Sequence, residues 1–187
     1  MFIKKKVKAF SLLEIAISLA IIGFLTMGVV KGRQILFKSK IEKTMNQVSE
    51  IIIATDSFRS SYYQMPGDYC GNDLPCLKKG DGNGLIESNV EKEAFWEHLS
   101  LSGMISAKKL IPAIGGDFSV FSQDGRNFLK ISAGGKGILS PIDAQALKVK
   151  LGSAEVANGS GSSECVDSSG RLKSVDKKVC ILIIELQ

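Results

Sequence analysis

Glu14 is the residue whose surroundings ask most of its chemistry. It is the only charge between Phe10 and Val30, in the run FSLLEIAISLAIIGFLTMGVV. A carboxylate in the middle of a membrane costs roughly 3 kcal/mol on insertion scales and normally has a named partner. The other candidate groups are sparser. His98 is the one histidine. No Ser-His-Asp, HExxH or phosphate-loop pattern accompanies it, and a place on a capped surface helix is expected for it. The four cysteines, Cys70, Cys76, Cys165 and Cys180, contain no CxxC pair and have no histidine close in sequence, so zinc is not indicated. An even number beyond a membrane-directed segment points to disulfides in an oxidising compartment. Three pairings are open. The sequence-local one, Cys70–Cys76 with Cys165–Cys180, is the expectation, and four reduced, buried thiols are the alternative. Closing the loop between Cys165 and Cys180 would contribute about 3 kcal/mol in the chain-entropy treatment.

Asp81, Asn83 and Glu87, in GDGNGLIE, invite a calcium assignment. An EF-hand loop needs glycine at its sixth position and an acid at its twelfth. Counted from Asp81 these are Ile86 and Lys92, which excludes it. A turn in which Asp81 and Asn83 bond their own backbone is the expectation, and a looser calcium loop at the same two residues is the alternative. No metal and no cofactor are therefore expected.

The element that must position Glu14 is a helix. A helix from Phe10 to Val30 would span about 30 Å, the thickness of a bilayer core. Lysines precede it, and Lys31 and Arg33 follow it; the very short N-terminal flank makes an N-inside orientation the simpler topology. The run is too long for a secretory signal, and no small-x-small cleavage site closes it before Lys31. Of the formal net charge of +5, four lysines, Lys4, Lys5, Lys6 and Lys8, lie ahead of the apolar run. The basic balance is thus an N-terminal address and no sign of a nucleic-acid surface.

The stretch KVKAFSLLEIAISLAIIGFLTMGVV resembles the class III signal of type IV prepilins and type II secretion pseudopilins: a short basic leader, a small residue, then Phe-Ser-Leu-Leu-Glu and an apolar helix. The resemblance implies a cut by prepilin peptidase between Ala9 and Phe10, with Ala9 standing where the family has glycine. It implies N-methylation of Phe10, and pairing of the Glu14 carboxylate with the Phe10 amine of a neighbouring subunit. An unpaired carboxylate in a helix bundle is strongly penalised and a paired one much less so, so the pair would pin the register of assembly.

No proline occurs before Pro66, so one helix from Phe10 to about Tyr62 is expected, weakened locally by Gly23, Gly28 and Gly32. Past Lys31 it turns amphipathic, with Phe37, Ile41, Met45, Val48 and Ile52 as the apolar stripe. Pro66-Gly67-Asp68 reads as a turn. Ser88 with Glu91 is a capping box that starts a helix running to about Leu101, with Gly103 just past its end and Val90, Ala94, Phe95 and Leu99 on its apolar side. Residues 118–121 and 128–131 flank Gln123-Asp124-Gly125 as a hairpin. Pro141 followed by 143–150 reads as a short helix, 152–170 as an exposed Gly/Ser-rich loop, and Val179–Leu186 as a final strand.

The pattern YYxxPGD…GDGNGxI…E…WxHLxxxGxI, from Tyr62 to Ile105, is also similar to a subgroup of pilin-like proteins. The fold expected is α+β and pilin-like: a long N-terminal helix, transmembrane and then amphipathic, on a small antiparallel sheet with a disulfide-stapled C-terminal loop. The divisions expected are a leader at 1–9, a transmembrane and filament-core helix at 10–30, its amphipathic continuation at 31–62 and a globular head at 63–187. The resemblance implies a filament subunit of a type IV pilus or type II secretion pseudopilus rather than an enzyme. Its partners would be other pilin-like subunits, prepilin peptidase and an inner-membrane assembly platform. It would lie in the inner membrane with its N-terminus cytoplasmic and its head periplasmic, and reach the surface on assembly. A monomeric, membrane-anchored ligand-binding domain is the alternative.

Overall fold

The structure, a computed structural model, describes residues 11–106, 109–152, 154–158, 165–166 and 180–186. Helix α1, Leu12–Tyr62, is an uninterrupted 51-residue helix. Ser11 Oγ accepts from the Leu13 N–H, and at the other end the Tyr63 N–H donates to the Arg59 carbonyl at 2.8 Å. The chain divides into two compact units, Met1–Ser39 and Lys40–Gln187.

In the first unit the large apolar side chains from Leu12 to Leu36 are exposed, among them Leu12 (88%), Phe24 (79%) and Leu36 (66%), and Phe37 is half-buried. The polar hydroxyls on this stretch bond back into the helix: Ser18 Oγ donates to the Glu14 carbonyl and Thr26 Oγ1 to the Gly23 carbonyl. The helix is long and apolar enough to cross a membrane, with a window of mean hydropathy 2.2.

The second unit begins with the remainder of α1, whose buried stripe is Ile41, Thr44, Val48, Ile51, Ala54, Thr55 and Phe58. Ile41 and Val48 were expected there. Phe37, Met45 and Ile52 are only half-buried. The stripe keeps helical spacing but passes through two threonines, which an apolar-residue pattern skips. Each is tolerated because its hydroxyl bonds the carbonyl four residues back, Thr44 to Lys40 and Thr55 to Ile51. Thr44 Oγ1 also accepts the Ile114 N–H.

Helix α2, Asn89–Leu101, carries the expected capping box, with Ser88 Oγ accepting from the Glu91 N–H and the Glu91 carboxylate from the Ser88 N–H. Its C-terminus closes as a Schellman motif, Met104 N–H to the Leu99 carbonyl and Gly103 N–H to that of Ser100. Val90, expected on the apolar side, is 51% exposed, whereas Glu91, Trp96 and His98 are buried with Ala94, Phe95 and Leu99.

Strands β1, Asp117–Gln123, and β2, Arg126–Ser132, form the expected hairpin through Asp124-Gly125. Both turn residues have positive φ, as a two-residue type I′ turn requires. Helix α3, Pro141–Leu151, has Ser140 as its N-cap. Strand β3, Ala154–Asn158, falls where a loop was expected; it pairs with β4, Cys180–Leu186, which supplies the long-range partner that local composition does not reveal. The sheet is antiparallel throughout, in the order β1-β2-β4-β3. Register aligns Phe118, Ile131, Leu182 and Val156 in one rung, and Val120, Leu129, Ile184 and Ala154 in the next. These rungs and the α1 stripe form the core together with the inner face of α2 and the loop residues packed beside it.

Candidate functional site

The expected site residues fall in three places. Ala9 and Phe10 lie outside the described residues. Glu14 is in the first turn of α1, exposed among exposed apolar neighbours, where the positive end of the helix dipole favours a carboxylate.

The cysteines divide. Cys165 and Cys180 form a disulfide, both residues buried, with Cα atoms 5.2 Å apart. It is seated in the sheet: Cys180 opens β4 opposite Asn158 of β3, and Asn158 Oδ1 accepts from the Cys165 and Val166 N–H groups. The expected Cys70–Cys76 bond is not formed, and both are free thiols. The Cys70 sulfur is exposed and turned to Gln64, whose amide lies 3.5 Å from it and whose Oε1 accepts the Cys70 N–H. Tyr69 and Asp73 brace the turn between the two cysteines, with the Asp73 N–H donating to the Tyr69 hydroxyl.

The Gly/Asp-rich loop is organised around Asp68, where the pattern Pro66-Gly67-Asp68 predicts only a turn. Asp68 is 1% exposed. Its Oδ1 accepts from the Gly82 N–H at 2.8 Å and its Oδ2 from the Gly84 N–H at 2.5 Å. Gly80 passes so close that a Cβ there would come within 2.3 Å of the Asp68 Cα. Asp81 and Asn83 behave as the turn reading expects: the Asn83 N–H donates to Asp81 Oδ1 and the Leu85 N–H to Asn83 Oδ1. One ligand atom each from Asp68, Asp81 and Glu91 lie within 4.8 Å of one another, a grouping that could hold a cation. The backbone N–H groups already engage both Asp68 oxygens, and Glu91 Oε2 accepts from Glu87 and Ser88. Burial raises the Asp68 carboxyl above its ordinary range, the Gly84 and Gly82 N–H groups oppose this, and the neighbouring Asp81 adds to the rise.

His98 is a buried structural joint, not a surface residue. Its Nδ1 accepts from the Gly67 N–H at 2.9 Å, and its Nε2 meets the Lys78 carbonyl at 2.8 Å. This fixes a neutral ring with the proton on Nε2. Phe58 stacks on it at 6.0 Å and Tyr69 meets it edge-on at 5.6 Å. Burial lowers its pKa below the ordinary 6.5, against the opposing pull of the Lys78 carbonyl and the Glu97 carboxylate. The only warning in the sequence was the placement of His98 four residues after Ala94 and three after Phe95, on the inner face of α2.

Fold and site together define an α+β domain carrying an apolar helix of membrane-spanning length. No family model matches the sequence, and no curated protein matches it. Among solved structures it is similar to the major type IV pilin PilA1 from Clostridium difficile, with 16% identity over 80% of this chain and 96% of that one and a TM-score of 0.46. That likeness assigns no role to any residue of this chain.

Proposed function

We propose that the chain is a structural subunit of a type IV pilus or type II secretion pseudopilus-like filament. Prepilin peptidase cuts it between Ala9 and Phe10, and the new Phe10 amine is methylated. Glu14 meets the Phe10 amine of an adjacent subunit. Before assembly the helix spans the inner membrane with its N-terminus cytoplasmic and its head periplasmic. An assembly platform and other pilin-like subunits then draw it into the filament.

One observation carries this reading. The first half of α1 exposes apolar side chains all round, with Glu14 as the single charge between Leu12 and Val30. Such a surface needs a nonaqueous cover, and lipid and a bundle of like helices both provide one. Only the bundle gives a partner to a carboxylate at that depth.

The test is mass spectrometry of the mature protein with crosslinking in native membranes. The expected result is an N-terminus at N-methyl-Phe10 and a ladder of multimers. A retained Met1 rejects the processing step. A crosslinked population that stays monomeric rejects the filament and leaves the anchored, ligand-binding monomer.

A further inference from the structure

The end of α1 holds a residue whose place the fold's own stability does not explain. Tyr63 sits at φ 55°, in the left-handed region, and is 91% exposed. Glycine closes a helix there without strain, and a ring spread into water stabilises nothing in the fold. Tyr63 lines two clefts, of about 470 Å³ and about 570 Å³, and Arg59 lines both as well. The first is also walled by the Gly82–Gly84 loop, by Arg126 beyond the hairpin turn and by Glu185 near the end of β4.

This wall has hydrogen-bonding capacity to spare. Among the described residues the Arg59 guanidinium has no ion-pair or hydrogen-bond partner. Arg126 makes one hydrogen bond, Nη1 to Glu185 Oε2 at 3.3 Å, and its guanidinium lies over the Phe128 ring at 5.8 Å, which leaves its other N–H groups and the second Glu185 oxygen open. The Tyr63 hydroxyl is likewise unpartnered among the described residues. Asn83 and Asn127, by contrast, spend their amides on the loop itself.

We infer that this cleft is a carbohydrate site that takes neutral hexopyranose units of an oligosaccharide. In the first cleft two guanidiniums face Glu185 and the buried Asp68, and the second cleft adds Asp56. A polyanion would meet these acids and the negative end of the α1 dipole, and a cation would meet two arginines. Vicinal hydroxyls donate and accept at once, which suits planar guanidinium and carboxylate groups able to bind in pairs. The C–H face of a pyranose suits an exposed aromatic ring with a polar tip. The first cleft falls within the range of about 300–1,000 Å³ usual for small-molecule sites. Clefts sharing Tyr63 and Arg59 accommodate two successive sugar units. The inference stands whether the chain acts in a filament or as an anchored monomer.

The experiment is a titration of the full-length protein, held in a detergent without a sugar headgroup, against neutral hexose mono- and disaccharides and their uronic acid counterparts. The expected result is binding of neutral hexoses with a Kd of about 1 mM, tightening about tenfold from mono- to disaccharide. Arg59→Gln and Tyr63→Gly each weaken it by about tenfold or more. Tyr63→Gly is expected to relieve backbone strain, so an unchanged or raised thermal midpoint checks that variant and an unchanged one checks Arg59→Gln. No binding of any neutral sugar, binding of the uronic acids alone, or undiminished binding by Tyr63→Gly overturns the assignment.

Discussion

The two halves of α1 share one helical geometry and differ in what covers them. From Leu12 to Leu36 the large apolar residues are exposed on every side. From Ile41 to Phe58 a single stripe is buried, and the remainder of the surface is polar or half-exposed. The second half therefore draws its stability from residues of its own chain, and the first half must find its cover elsewhere. Periodicity reports the difference directly: an all-round apolar helix belongs in a membrane or bundle, a striped one on a domain. A substitution in either half should consequently register in one assay and be silent in the other.

The largest effect belongs to Glu14→Ala. Filament yield from sheared cells should fall to near nothing while cleavage, membrane insertion and the thermal midpoint of the head stay unchanged. A normal yield breaks the comparison, because the first half would then need no specific partner. The mirror experiment is Phe58→Ala. Its ring is fully buried against Tyr62, Tyr69 and His98, and truncation of such a ring costs about 3–5 kcal/mol. Denaturant unfolding of the detergent-solubilised protein should show that loss, and a loss under about 1 kcal/mol would mean the stripe is not the core it looks to be. Cys165→Ser should cost about 3 kcal/mol by releasing a closed loop of 15 residues. Alkylation of the non-reduced protein should label Cys70 and Cys76 and leave Cys165 and Cys180 untouched.

A smaller effect is a pH dependence in the residues that cover the second half of α1, where His98 stacks on Phe58. His98 has a lowered pKa, so the unfolded chain takes up a proton before the folded one does. Stability should be full above about 6.5 and decline as pH falls from there toward the folded value. The added proton would sit on Nδ1, against the Gly67 N–H. Asp68 acts in the opposite sense, since a raised carboxyl favours the folded state as pH falls through its own, lower window. Thermal melts between pH 7 and 5 should therefore show the loss in the wild type and not in His98→Gln, whose own baseline is lower.

How much of this was legible in the sequence depended on whether the cause was local. The helix, capping box, type I′ hairpin and final strand are each written in contiguous residues: a run without proline, Ser88 with Glu91, Asp124-Gly125, and VCILIIEL. Cys165–Cys180 was also foreseen as a local pair. The errors were places where a partner distant in sequence decides. Strand β3 exists because β4 is there to pair with it. His98 is buried because Gly67 and Lys78 offer it a donor and an acceptor. Asp68 organises its loop through backbone groups 14 and 16 residues on, which no residue pattern displays. Cys70 and Cys76 are close in sequence, yet Cys70 is turned to Gln64.

The smallest expected effect sharpens the comparison at the point where the covered half of α1 ends. Helix α2 ends with Gly103 at φ +72 and α1 with Tyr63 at φ 55, the same left-handed cap filled by the easiest residue and by a costly one. A side chain in that region costs about 1–2 kcal/mol. Glycine in its place returns about 0.5–1 kcal/mol of that through the greater freedom it gives the unfolded chain. Tyr63→Gly should therefore stabilise the domain by about 0.5–1 kcal/mol, and Gly103→Ala should destabilise it by a similar amount. Urea unfolding of the two variants beside the wild type measures both signs at once. A destabilised Tyr63→Gly would mean that the ring supports the fold, and the case for a binding role at this helix end would lose its footing. A stabilised one leaves the tyrosine as a residue whose presence stability cannot explain.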